Sequence, residues 1–173
     1  ELELLSGIES AANQLSRLNN SLLLLAKIEN RQFASVENVK VKNLIDESMK
    51  LFEEMIDAKK ISVHEKIDDE VEWKINQELG LVLINNLINN AIKHNFENGE
   101  IEIECNEKML LISNTGNQIS IDKNKIFTRF FHSSTKQGSL GLGLSIAKEI
   151  ATSNGNQLEY YFSEGKHHFK LTF

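Results

Sequence analysis

The stretch that decides the fold is residues 77–94, which reads QELGLVLINNLINNAIKH. Its apolar residues predict a strongly apolar helix, yet asparagine stands at four positions where a buried helix would carry leucine. Asparagine is a poor helix former, and a buried one needs hydrogen-bond partners for both ends of its amide. These asparagines therefore indicate a chemical role.

One edge of this helix carries four polar side chains within an arc of roughly 100° at about 100° per residue: Asn86, Asn90, Lys93 and His94. Carboxamide oxygens suit Mg²⁺ when water and substrate phosphates supply the other ligands, and Lys93 can neutralise phosphate charge. The alternative is a solvated edge of an amphipathic helix. Asn85 and Asn89 share the spacing on the other edge, so helix geometry alone does not select the functional pair.

A glycine-rich segment, GSLGLGL at residues 138–144, directly precedes a second predicted helix at about 142–153. Glycine lets backbone N–H groups approach a phosphate, and a helix N-terminus adds a favourable dipole. A Walker loop would need lysine after Gly143, where Leu144 stands, and a Rossmann loop would need glycine or alanine in place of Ile146. The alternative is a glycine-rich hinge before a helix.

A third polar segment, Ser113-Asn114-Thr115-Gly116, follows the apolar run at residues 110–112. A polar residue that ends a strand, with glycine close behind it, can contact the edge of a base. Taken alone, the segment is an ordinary turn.

The first 30 residues predict one long helix with a heptad seam, formed by Leu4, Ile8, Ala11, Leu15, Leu18, Leu22 and Leu25. Such a seam favours a coiled coil or a helical bundle. The alternative is a long helix that lies on its own domain.

The composition is that of a globular protein: 173 residues, 40% hydrophobic, with a net charge of −6 and one cysteine. The acidic balance argues against nucleic acid as a partner, and we find no signal peptide or membrane span in the sequence. Over residues 35–173 the predicted helices and strands show no βαβ alternation. This predicts an α+β fold, a two-layer α/β sandwich with helices on one face of a mixed sheet, preceded by the long helix at 1–32.

Four motifs in order give the chain a specific resemblance to the catalytic, ATP-binding domain of sensor histidine kinases, in the superfamily shared with gyrase and mismatch-repair ATPases. Residues 86–94 resemble the N box, 113–116 the first glycine box, 126–131 (IFTRFF) the F box and 138–144 the second glycine box. The resemblance covers about 35–173, and the fold that it implies agrees with the sandwich predicted above.

The resemblance implies that Asn90 holds Mg²⁺ and that Asn86 supports the phosphates of ATP, with Lys93 and His94 beside them. Backbone N–H groups around Gly141, Leu142 and Gly143 would cradle the phosphates, and residues 117–140 would form a mobile lid anchored by the F box. The other residues expected at the ATP site are Asn114, Gly116, Ile119, Phe127, Phe131, His132, Leu140 and Leu144.

Three positions depart from the family pattern. Asn114 stands where the family usually has the aspartate that meets the adenine amino group, Gln118 replaces a glycine, and His132 stands where an arginine often contacts phosphate. Because a neutral acceptor forms a weaker hydrogen bond than a carboxylate, we expect binding to persist with altered affinity.

By resemblance, the function is transfer of the γ-phosphate of Mg·ATP to a histidine, for relay to a response regulator receiver domain. The N-terminal helix resembles the second helix of the dimerisation and phosphotransfer hairpin, and we expect the acceptor histidine and its acidic neighbour on a helix absent from this chain. The chain is then a protein-histidine kinase domain without autophosphorylation in isolation. We expect a cytoplasmic domain, a homodimer contact through the N-terminal helix, and membrane attachment only through missing N-terminal segments.

Two alternatives to this function are open. A clamp ATPase of the same superfamily would need a catalytic glutamate near Asn90, and only Glu78 is available, about three turns away. A non-catalytic, nucleotide-sensing docking module that signals through its coiled-coil helix is the other alternative, and the three departures leave room for it.

Overall fold

The computed structural model describes residues 2–33, 35–118, 123, 125–131 and 140–173. In chain order the elements are α1 (Leu2–Glu29), β1 (Glu37–Lys40), α2 (Val41–Ala58), β2 (Ser62–Ile67), β3 (Glu72–Ile75), α3 (Gln77–Lys93), β4 (Glu100–Asn106), β5 (Met109–Thr115), a 3-10 turn (Lys125–Phe127), α4 (Gly143–Ser153), β6 (Gln157–Ser163) and β7 (Lys166–Thr172).

The main sheet has five strands in the order β2-β4-β5-β7-β6. β2 runs parallel to β4, and the other neighbours are antiparallel, so the sheet is mixed as predicted. β4 and β5 form an antiparallel hairpin. The strands on either side of residues 68–70 do not pair with each other, because β3 leaves the main sheet and pairs with β1.

The helices cover one face of the sheet, which confirms the two-layer sandwich. Residues that alternate along β4, β5 and β7 toward the helices are buried, such as Ile103, Ile112 and Phe169. The opposite face is polar, and there Lys166 forms ion pairs with Glu100 and Glu102 at 3.0 and 2.7 Å. This alternation is the expected result for a sheet that packs on one side only.

Helix α3 is the centre of the core. Asn76 caps its N-terminus by accepting a hydrogen bond from the backbone N–H of Leu79 at 3.1 Å. Eight of its residues are buried, on a stripe that packs against α2, α4 and β5. The helix is thus held rigidly, and its half-buried edges carry the asparagines.

Helix α2 starts earlier than its sequence alone indicates. Asn43 is the residue type that commonly caps a helix, but Lys40 occupies the cap position and Asn43 lies inside the first turn. The Val41 N–H donates to the carbonyl of Val71 at 3.0 Å, so the chain passes from β1 directly into the helix.

Helix α1 is exposed along most of its length, and its C-terminal half packs against α4 and the core. Leu25 and Ile28 are buried, whereas Ile8 and Leu15 are 64% and 67% exposed. Glu29 at the C-terminal end of the helix forms an ion pair with Arg129. None of the helices in the described ranges has the length and apolarity that a membrane span requires.

Candidate functional site

The edge of α3 that carries Asn86 and Asn90, called the asparagine edge below, faces the start of α4. The Asn86 amide nitrogen donates to the carbonyl of Val82 at 2.9 Å, one turn earlier in the same helix. Its oxygen is turned toward Gly143, where an added Cβ would lie only 2.7 Å from that oxygen. Gly143 therefore leaves the space into which the Asn86 oxygen projects.

Asn90 lies one turn further along the same edge and is half-buried. Its side chain makes no hydrogen bond to any residue in the described part of the chain, so its carboxamide oxygen is available as a neutral ligand. Lys93 is exposed close by on the last turn of the helix, and His94 is the C-cap. Among these groups, Asn90 has the chemistry that fits a hard divalent cation with phosphate and water as further ligands.

The glycine-rich segment meets the F box through the backbone. The Phe130 N–H donates to the carbonyl of Gly141 at 2.9 Å. Gly141 has φ +65°, and an added Cβ would lie 2.8 Å from the carbonyl oxygen of Phe131. This position needs a glycine for two reasons. Residues with a side chain disfavour a left-handed backbone, and the neighbouring backbone leaves no room for a Cβ.

The segment leads directly into α4, whose first turn is closed by the Ile146 N–H, which donates to the Leu142 carbonyl at 2.9 Å. Leu142 is buried, while Leu140 and Leu144 are half-buried and pack against the core. The leucines anchor the segment and leave the glycine backbone on the side of Asn86. The N-terminus of α4 thus offers backbone N–H groups to an anion beside α3.

Asn114 is the last buried residue of β5 and is 1% exposed. Its amide nitrogen donates to the Thr115 carbonyl at 2.8 Å, whereas its buried oxygen has no partner among the described residues. A buried acceptor without a donor carries a free-energy cost that a ligand can relieve. The neighbouring Gly116 lies against the C-terminal end of α3, since an added Cβ would be 2.9 Å from the His94 carbonyl.

A polar cluster that the sequence did not reveal joins α3 to the end of β5. Thr115 donates its hydroxyl to Asn95 and accepts the Glu100 N–H at 2.9 Å. The Asn95 amide nitrogen donates to the Glu100 carbonyl at 2.9 Å. In the sequence, the dipeptide Asn98-Gly99, which favours a tight turn, indicates that the chain reverses here. The cluster holds the first glycine box in place against α3.

His167 on β7 is a second buried polar residue that sequence reasoning missed. It is 3% exposed and lies directly opposite Asn114 in the register of β5 and β7. Its Nδ1 is 2.9 Å from the hydroxyl of Tyr160. Burial lowers the pKa of His167 and raises the pKa of Tyr160 above their ordinary values.

The predicted F box is only partly described. Ile126 is buried, Phe127 and Phe131 are half-buried against the core, and the Lys148 ammonium lies 5.3 Å from the centre of the Phe127 ring. The predicted site residues Ile119 and His132 lie outside the described residues, as does most of the predicted lid at 117–140.

A sheet covered on one face by helices, with the asparagine edge of α3 facing a glycine-rich helix start, defines a two-layer ATPase-type domain. The family model described as histidine kinase-, DNA gyrase B-, and HSP90-like ATPase matches residues 76–173, and the chain belongs to this family.

Known relatives agree with this assignment. The chain is 29% identical over 162 residues to the heme sensor protein HssS of Staphylococcus aureus (strain Newman), a match that covers 90% of this chain and 35% of that protein. The catalytic domain of histidine kinase ThkA has a TM-score of 0.72 and 28% identity, covering 81% of this chain and 95% of that one. ThkA in complex with the response regulator protein TrrA has a TM-score of 0.70 and 28% identity, over 94% of this chain and 48% of that one.

The chain is thus homologous to sensor histidine kinases and matches their catalytic domains in structure. It spans about a third of the length of the curated relatives that it matches.

Proposed function

We propose that this chain is the Mg·ATP-binding catalytic domain of a two-component sensor histidine kinase. It would transfer the γ-phosphate of ATP to a histidine on a helix outside these 173 residues, for relay to the receiver domain of a response regulator. The observation that carries the proposal is the Asn86 oxygen turned toward Gly143, which joins the N box and the second glycine box into one site.

Phosphoryl transfer asks a protein mainly for positioning and for neutralisation of charge. Asn90 would hold the Mg²⁺ ion, which supplies charge neutralisation at the phosphates. Asn86 and the N-terminus of α4 would orient the phosphate chain, because one offers an amide and the other offers backbone N–H groups. Lys93 would add a positive charge at the open side of the site.

The base would be held by Asn114. Its amide nitrogen already donates to the Thr115 carbonyl, so the group left for a ligand is the oxygen, an acceptor. The 6-amino group of adenine is a donor and satisfies this oxygen, whereas the 6-oxo group of guanine would place two acceptors together. The orientation of the amide therefore favours ATP over GTP.

The Asn114→Ala variant should bind ADP about 5- to 150-fold more weakly, the equivalent of about 1–3 kcal/mol for a lost buried hydrogen bond. Asn114→Asp keeps the acceptor and should retain adenine binding. Calorimetric titrations of ADP and GDP into the three proteins measure the effect. Equal affinity of the starting chain for ADP and GDP would contradict this role of Asn114.

The acceptor of the phosphate is expected outside the chain. Of the histidines in the described part of the chain, His64, His167 and His168 lie in strands, and His94 caps α3, so none of these is placed within a helix. We expect no acid-labile, alkali-stable label on the chain after incubation with γ-labelled ATP. Stable incorporation of such a label by the purified chain would refute this part of the proposal.

We assign residues 1–32 to the second helix of the dimerisation and phosphotransfer hairpin, and residues 35–173 to the catalytic domain. The exposed apolar side chains of α1, including Ile8 and Leu15, would pack against a partner helix, which could be that of a second copy. In the intact kinase this domain would lie in the cytoplasm, with any membrane anchor elsewhere in the protein.

The competing function is the non-catalytic docking module, in a form that has lost its nucleotide affinity and signals through α1 alone, and the exposed seam of α1 is the observation that favours it. It predicts self-association through α1 without measurable affinity for ATP. Nucleotide titration and sedimentation of the same sample therefore separate the two functions.

A further inference from the structure

The buried His167 is not explained by the proposed roles of the four motifs. It lies beside Asn114 on the sheet face that the helices cover, at the same register position of the neighbouring strand. The ring packs directly on the first glycine box, since a Cβ added to Gly116 would lie 2.6 Å from its Nε2. His167 therefore lines the space beside the unpartnered oxygen of Asn114.

The ring of His167 lies between β6 and the turn that follows Asn114. Because its pKa is raised by burial, the Tyr160 phenol stays protonated and can donate to Nδ1 over 2.9 Å. A backbone hydrogen bond to Asn117 raises the pKa of His167 by less than burial lowers it. The ring thus contacts Tyr160 of β6 on one side and lies against Gly116, in the turn that follows Asn114, on the other.

We propose that neutral His167 is a positioning residue of the base pocket, which holds the Gly116–Asn117 turn so that Asn114 meets adenine, and that protonation of His167 weakens nucleotide binding. The inference rests on the proposed function. It concerns a residue outside the four motifs, and it adds a dependence on pH.

The surroundings of the ring disfavour its charged form. From β6 it meets the neutral Tyr160, from β5 the neutral Asn114, and from the end of α3 the His94 carbonyl approaches the same glycine. His168 on its own strand faces the other side of the sheet and adds a repulsive charge when protonated. No carboxylate contacts the ring among the described residues, so a charged ring there has no counter-ion.

The lowered pKa of His167 determines how stability and nucleotide binding change with pH. Burial lowers the pKa of His167 below its ordinary value of about 6.5, so the ring is neutral at pH 7 and above. The unfolded chain takes up this proton at about pH 6.5 and the folded chain only at lower pH. Stability is therefore full above about pH 6.5 and falls as the pH drops toward the folded pKa, and nucleotide binding should weaken as the pH passes through that pKa.

The test is the affinity for ADP between pH 5 and pH 8.5, in the starting chain, in His167→Gln and in the matched control His168→Gln on the outer face. We expect His167→Gln to bind at least about threefold more weakly at pH 8 and to lose the additional weakening at low pH. His168→Gln should keep that weakening, with a small shift to higher pH because the repulsive charge of His168 is gone. Protonation of the ADP phosphates contributes equally to all three profiles. The difference between the profiles is therefore the readout.

A second measurement needs no variant. If protonation weakens ADP binding by some factor, then saturation with ADP must lower the pKa of His167 by the logarithm of that factor, because linkage is reciprocal. The pKa is read from the ring resonances of the histidines by NMR with and without ADP. An unchanged pKa on saturation, or identical pH profiles for the starting chain and a folded His167→Gln, would overturn the inference. Failure of the starting chain to bind ADP at any pH would instead refute the proposed function.

Discussion

Replacing Asn90 with alanine should remove the magnesium-dependent part of nucleotide binding and lower the affinity for Mg·ATP by about 10- to 150-fold, the range expected for a lost interaction with a charged group. The half-buried Asn90 side chain makes no hydrogen bond in the described part of the chain, so its loss breaks no hydrogen bond there. Alanine is also the better helix former, so α3 should persist.

The matched control is Asn89→Ala, which changes the same residue type one position earlier, on the opposite edge of α3. It should leave both the affinity and the dependence on Mg²⁺ unchanged. Titrations of a non-hydrolysable ATP analogue with and without Mg²⁺ measure both variants. Equal losses in the two variants, or a magnesium dependence that survives Asn90→Ala, would show that the metal is held elsewhere.

Gly141→Ala should lower nucleotide affinity by at least about tenfold and destabilise the fold. A side chain at φ +65° costs about 1–2 kcal/mol in backbone strain. The added Cβ would also lie 2.8 Å from backbone atoms of Phe130 and Phe131, which cannot move aside as a flexible side chain could. The segment before α4 must then shift, and the N–H groups proposed to cradle the phosphates shift with it.

Gly155→Ala is the control for strain alone. Gly155 has φ +80°, with no atom within 4 Å of an added Cβ. The Gly155→Ala variant should lose a similar amount of stability through backbone strain and keep its nucleotide affinity. Urea unfolding and calorimetry of both variants separate the two effects. If Gly141→Ala bound nucleotide as tightly as Gly155→Ala, the cradle would not depend on the close approach at Gly141.

The sequence predicted the fold class because each layer has its own periodicity. The alternating strands of the β6–β7 pair and the asparagine-bearing α3 are local patterns, and the structure contains them. The pairing of β2 with β4 was not predictable in the same way. Alternation shows which face of a strand is buried, and it does not identify the neighbouring strand.

The choice of asparagine edge is likewise a property of the tertiary structure. The pair Asn85 and Asn89 has the same residue type and the same spacing along the helix as the pair Asn86 and Asn90. The approach of Gly143 to the Asn86 oxygen distinguishes the two edges. His167 was missed for a related reason, because a histidine in an alternating strand gives no signal until the register places it opposite Asn114.

The most direct test of the central proposal is calorimetric titration of a non-hydrolysable ATP analogue into this chain, with and without Mg²⁺. We predict binding in the micromolar-to-millimolar range that weakens when Mg²⁺ is removed. No binding under either condition would contradict the assignment of an ATP site to α3 and the start of α4, and would favour the docking module.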